Sequence, residues 1–146
     1  MDFELSSPVK AIQKEARRFA VKEILPRVQE TEFKRDLVYK MGELGFFGCA
    51  FPEKYGGTNM GFLAHSVVCE EISRIDSGMR SLFNLQGMTV PYTIMEWGRR
   101  AIREQYIEDL VLGQKLGCTC FSEPNAGSDL SAIPPPPGSR CRSGSG

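Results

Sequence analysis

The sequence contains one histidine and one tryptophan among 146 residues, and it carries no net charge. Each scarcity removes a class of function. Eighteen basic and eighteen acidic side chains cancel, so no overall field draws the chain to nucleic acid or to an anionic membrane. No apolar run approaches the roughly 20 residues that a membrane-crossing helix needs. The N-terminus, Met1-Asp2-Phe3-Glu4, is acidic, lacks an apolar signal core and is unlike an Arg-rich transit peptide. This points to the cytoplasm and leaves the mitochondrial matrix open. A Ser-His-Asp site would rest wholly on His65, and no G-x-S-x-G elbow occurs. His65 stands in the apolar stretch FLAHSVV and reads as a satisfied helix-surface or core-edge side chain. The five cysteines (49, 69, 118, 120 and 141) are odd in number, which fits reduced thiols. Cys118 and Cys120 form C-x-C with no His or second Cys pair nearby, so no metal site is expected.

What is present is helical periodicity. Ser7 can cap a helix and Pro8 suits its first turn. Val9, Ile12, Ala16, Phe19, Ala20 and Ile24 then recur at three- and four-residue spacing, and Pro26 marks the end. Asp36 is placed to cap a second helix whose face is Leu37, Met41 and Leu44, closed by Gly45. A third helix is expected over 61–75, with Ala64, Val68, Ile72 and Ile75 in register. Asp76 or Ser77 can cap a fourth, over 78–97, which carries Leu82, Phe83, Leu85, Met88, Ile94 and Trp97. Pro91 kinks or divides it. A fifth, over 99–112, puts Ile102, Tyr106, Leu110 and Val111 on one side, and Gly113 stops it.

The period then changes. Residues 116–122, LGCTCFS, alternate and read as a strand. A lone strand leaves its backbone groups without partners, and the sequence offers no second convincing one. The chain therefore reads as ending where a β-domain begins. Residues 134–146, PPPPGSRCRSGSG, have no aliphatic or aromatic side chain and read as a disordered tail. The change at 133–134 is abrupt, and a shifted reading frame and a genuine tail both remain open as its origin.

The nine residues 121–129, FSEPNAGSD, resemble the flavin-loop signature of the acyl-CoA dehydrogenase family, S/T-E-P-x-x-G-S-D. MGELGFFG at 41–48, PEKYGG at 52–57, EEIS at 70–73 and LVLG at 110–113 are similar, in order and spacing, to that family's N-terminal helical domain. The resemblance covers about residues 3–133. It implies a mainly α fold: an N-terminal all-α domain at 1–114, then the start of a middle β-domain with the flavin loop at 115–133. The implied reaction is FAD-dependent oxidation of an acyl-CoA thioester to the 2-enoyl-CoA. A glutamate removes the α-proton and hydride passes from the β-carbon to FAD. Thr119, Cys120, Phe121, Ser122, Gly127 and Ser128 match the stretch that contacts flavin, and Ser128 also matches a contact to the CoA arm. Glu123 is not the base; the family's base lies in a C-terminal bundle, so no catalytic residue is assigned within this chain.

The motif's residue types suit such a role. Gly127 permits close approach of backbone to a ligand, and Ser122 and Ser128 supply hydroxyl donors. Asp129 can cap the following turn. A narrower resemblance, DSGMRS at 76–81, is to the glutaryl-CoA dehydrogenase branch. There the residue matching Arg80 pairs with the substrate's free carboxylate and that matching Ser81 lies nearby; a planar guanidinium meets a carboxylate through two bonds. Without the family the same Arg80 reads as a solvated helix residue near a cap. An electron-transfer flavoprotein partner and a homo-oligomer are further implications for the full-length protein. The chain alone is expected to be inactive. The alternatives are a non-catalytic fragment and a helical interaction module.

Overall fold

Ser6 holds extended backbone and Pro8 occupies the first turn, so the chain enters helix at α1 (Ser7–Phe19). The computed structural model describes residues 4–124 and 126–133, and the expected disordered tail at 134–146 lies outside them. Helix α1 runs into a π-helical turn, Ala20–Ile24, and a 3-10 turn, Leu25–Arg27, that contains Pro26. Next come α2 (Arg35–Glu43) and α3 (Gly61–Ser73), joined by two 3-10 turns, Phe46–Gly48 and Glu53–Tyr55. Then α4 (Ser77–Asn84), a π-helical turn at Leu85–Thr89 and α5 (Val90–Trp97) form one continuous rod. The last long helix is α6 (Arg100–Val111).

Several expected devices are present. The Asp76 carboxylate accepts from the Met79 N–H at 2.9 Å and caps α4. Gly45 and Gly113 take φ of +72°, a left-handed conformation that ends α2 and α6. The division near Pro91 is the π-helical turn that precedes it.

Other expectations are corrected. Asp36 is not the cap of α2; it lies in the first turn and accepts from the Arg27 guanidinium, which holds its carboxyl below the usual range. Trp97 is 75 % exposed and Ile102 is also exposed, whereas α6 buries Ile107, Leu110 and Val111. Residues 116–122 do not form a strand. Among the described residues they have no neighbouring strand to pair with, and the β-pairing there is an isolated bridge between Glu123 and Ala126.

The main core gathers α1, α2, α3, α4 and the Phe46–Gly48 turn. Phe19 meets Phe46 edge-on with centroids 5.7 Å apart, and Phe47 stacks on Phe83 at 5.7 Å. A second cluster joins Phe51, Ile107 and Val111. Helices α1 and α3 pack together and are pinned by one buried carboxylate. Glu71, whose side chain is 1 % exposed, accepts from Arg17 Nε at 2.8 Å, Arg17 Nη2 at 2.7 Å and Gln13 Nε2 at 3.1 Å.

His65 is buried, not at the core edge. Its ring stacks on Phe83 at 4.8 Å and its Nε2 lies 3.4 Å from Asn84 Oδ1. Its Nδ1 is buried without a partner, so the ring is half satisfied. A neutral tautomer with Nε2–H donating to Asn84 leaves only an acceptor lone pair unmet, the milder of the two deficits.

Two pH effects follow. The Arg17 hydrogen bonds hold the Glu71 carboxyl below its ordinary range. A depressed folded-state pKa stabilises above the unfolded value, about 4.3, and that contribution is lost as pH falls through the folded value. Arg17→Leu leaves a buried carboxylate unpaired, so the melting temperature should fall most at pH 7. The gap to wild type should narrow below about pH 4 as Glu71 protonates; an unchanged gap from neutral to acid would refute this. Burial likewise lowers the His65 pKa. Its contribution is present above the unfolded value, about 6.5, and lost as pH falls. His65→Gln should flatten the stability profile between about pH 6.5 and 5, read by denaturant titration; an undiminished slope would assign it to other groups.

Candidate functional site

The residues singled out by sequence fall on two parts of the chain. Arg80 and Ser81 lie on α4, just past the Asp76 cap. Arg80 is half-buried and makes no ion pair among the described residues, and its positive charge is felt by the Cys69 thiol. Burial outweighs that charge and raises the Cys69 pKa. The exposed Ser81 hydroxyl donates to the Ser77 carbonyl at 3.2 Å, one turn back on its own helix.

The other group follows α6. Cys120, Phe121, Ser122, Gly127 and Ser128 are exposed, and Thr119 is half-exposed. The Glu123 N–H donates to the Ala126 carbonyl at 2.7 Å and the Ala126 N–H returns to the Glu123 carbonyl at 3.2 Å. This tight reversal buries Ala126 and brings Gly127 back over Ser122, where a Cβ on the glycine would sit 4.0 Å from the serine Oγ. Asp129 does cap the following 3-10 turn, Leu130–Ala132: it accepts from the Ser131 N–H at 3.0 Å and the Ser131 hydroxyl at 2.6 Å. Those bonds hold its carboxyl below the ordinary range. The loop thus folds back on itself and leaves two serine side chains, a glycine backbone and one aromatic ring exposed. That donor set fits a planar, acceptor-rich ligand such as a flavin, and nothing in it supplies a metal site. Among the described residues no group of three or more His, Cys, Asp and Glu could hold a metal ion, and no helix is long and apolar enough to cross a membrane.

Among the described residues no hydrogen bond or ion pair joins Arg80 or Ser81 to the 119–128 loop. The link between the two parts is a residue that sequence reading passes over, Gln86. Its side-chain amide nitrogen donates to the Leu110 carbonyl at 2.7 Å and the Lys115 carbonyl at 2.8 Å, and its Oε1 accepts from the Gly117 N–H at 3.0 Å. The available signal was an amide, one of two with Asn84, in the largely apolar run LFNLQGM. Beside it, α5, α6 and the segment after α6 enclose an open groove lined by Val90, Ile94, Ile102, Tyr106 and Leu116, with the Lys115 ammonium 5.3 Å from the Tyr106 ring centre.

Residues 7–114 match the "Acyl-CoA dehydrogenase, N-terminal domain". A glutaryl-CoA dehydrogenase from Desulfococcus multivorans is 39% identical over 140 residues, covering 91% of this chain and 36% of that protein. A solved glutaryl-coenzyme A dehydrogenase in complex with glutaryl-CoA superposes with a TM-score of 0.86 at 41% identity, over 91% of this chain and 35% of that one. An acyl-CoA dehydrogenase from Bacillus anthracis complexed with FAD superposes with a TM-score of 0.81 at 29% identity, over 89% of this chain and 23% of the other. The chain thus spans about a third of the length of the curated relatives it matches. The family match and the shared helical fold together identify the chain as a member of the acyl-CoA dehydrogenase family, spanning its N-terminal helical domain.

Proposed function

We propose that this chain is the N-terminal part of an FAD-dependent dehydrogenase that oxidises glutaryl-CoA or a similar ω-carboxylated acyl-CoA, and that it performs no dehydrogenation alone. The observation that carries the substrate reading is Arg80, a half-buried guanidinium without an ion pair, one turn after the Asp76 cap. The superposition on a glutaryl-CoA complex supports it. FAD, when bound, supplies hydride acceptance.

The chain's own residues bind and orient. Arg80 meets the distal carboxylate with two parallel N–H bonds. Ser81 reaches the same carboxylate by releasing the Ser77 carbonyl. Ser122, Gly127, Ser128 and the backbone of 119–121 would hold the flavin, Phe121 would exclude water from it, and Ser128 would also donate to the CoA arm. The base that removes the α-proton comes from the family's C-terminal bundle, outside the stretch matched here. Electrons leave to an electron-transfer flavoprotein, and the full-length protein is a homo-oligomer.

The test is a chimera in which residues 1–133 replace the corresponding part of the Desulfococcus multivorans relative. It should purify with bound FAD and oxidise glutaryl-CoA. Arg80→Met should lower kcat/KM for glutaryl-CoA about 10- to 150-fold, the equivalent of a charged hydrogen-bonded pair, and change butyryl-CoA turnover by about twofold or less. A chimera without flavin, or equal losses on both substrates, would overturn the reading. The unfused chain should show no turnover with either substrate.

A further inference from the structure

We propose that Gln86 is the positioning residue for the 119–128 loop, acting as a one-residue substitute for a neighbouring strand. Residues 116–122 have a strand's alternation but no strand beside them among the described residues. In a parallel ladder the C=O of one residue and the N–H two residues on point to the same side and bond the N–H and C=O of a single residue on the neighbouring strand. The Lys115 carbonyl and the Gly117 N–H are such a pair, and both bond to the Gln86 side chain, at 2.8 and 3.0 Å. A carboxamide carries the donor and acceptor of a peptide group, so it fills that place chemically. Its remaining donor hydrogen reaches the Leu110 carbonyl, 2.7 Å away, in the last turn of α6. The side chain is 1 % exposed, so water does not compete.

Two further observations show that this seat is built for the segment. A Cβ at Gly117 would lie 2.5 Å from Val90 Cγ1 and 3.0 Å from Val90 Cβ, so only glycine lets the backbone lie flush on the start of α5. Gln86 itself lies in the π-helical turn Leu85–Thr89, a local irregularity common at functional sites. The clamp closes two residues before Thr119. Gln86 also stands on the same rod as Arg80, roughly 9 Å further along its axis by helical rise. One side chain therefore sets where the loop begins relative to the helix that carries the candidate carboxylate reader. That the loop serves flavin rests on the reading above; the clamp itself does not.

Hydrogen exchange on the full chain tests the clamp, and three proteins suffice. In the unaltered chain the Gly117 amide should be protected. In Gln86→Leu it should exchange at least tenfold faster after correction for intrinsic rate, together with the amides of 118–121, while the buried turns of α1 and α3 keep their rates. Gln86→Glu separates a specific clamp from general packing. As a carboxylate it faces two carbonyl oxygens and should open the segment; once protonated at acid pH it regains a donor and should restore much of the Gly117 protection. Unchanged protection in Gln86→Leu, or no recovery of Gln86→Glu on acidification, overturns the clamp. The Gln86→Leu change in the chimera reads the consequence: FAD should dissociate at least tenfold faster than from the unaltered chimera. Equal FAD retention overturns the positioning role while leaving the clamp. An unaltered chimera without FAD overturns the flavin reading, whatever the exchange result.

Discussion

The fold depends on two adjacent aromatic rings at one turn. Gly45, left-handed at φ +72°, ends α2 and turns the chain so that Phe46 and Phe47 enter the core in opposite directions. Phe46 meets Phe19 of α1, and Phe47 meets Phe83 of α4. The space around them is made by residues without side chains. A Cβ at Gly42 would lie 2.2 Å from the Leu112 carbonyl oxygen, and one at Gly87 would press on the Phe47 backbone at 3.2 Å. Helices close on the rings only where glycine allows it. The rings are fully buried, and emptying either place costs about 3–5 kcal/mol, comparable to a domain's whole margin of stability.

That frame decides what the candidate site can be. The rod made of α4, the π-helical turn and α5 carries Arg80 near its start and Val90 where α5 begins, with Phe83 anchored against Phe47 between them. Among the described residues the segment after α6 has no sheet beside it, and its start is held to this rod by Gln86. Among the described residues beyond Gly117 are a small reversal, Glu123 to Ala126, and an Asp129-capped turn. The side chains of Cys120, Phe121, Ser122 and Ser128 are exposed.

The local rules were legible and the long-range pairings were not. Asp76 as a cap, Gly45 and Gly113 as stops, and Asp129 as a turn cap each follow from one residue's chemistry and its immediate neighbours. Asp36 was misread because a cap position has the same signature as a first-turn acid, and the choice was made by Arg27 nine residues earlier. The strand at 116–122 failed for a related reason: alternation records which faces differ, while strand formation needs a partner that no local pattern supplies. Glu71 finds Arg17 across 54 residues, and Gln86 finds Gly117 across 31. Neither spacing has a periodic trace. His65 reads as polar, yet a ring stacked on Phe83 behaves as an aromatic core residue. The FSEPNAGSD motif was legible as text, whereas Gln86, outside it, holds the chain at Lys115 and Gly117 just before it.

The π-helical turn at Leu85–Thr89 bears on how the chain tolerates a change of length. Such a turn holds one residue more than regular α geometry requires. Removing one residue there would relieve a local irregularity. The half-helices on either side would stay nearly in phase, because the wide turn absorbs the extra residue locally. The same deletion inside the regular part of α4 would instead rotate Asp76 and Arg80 by about 100° relative to Val90 and Pro91. A one-residue deletion is therefore expected to be tolerated better at this turn than elsewhere along the rod.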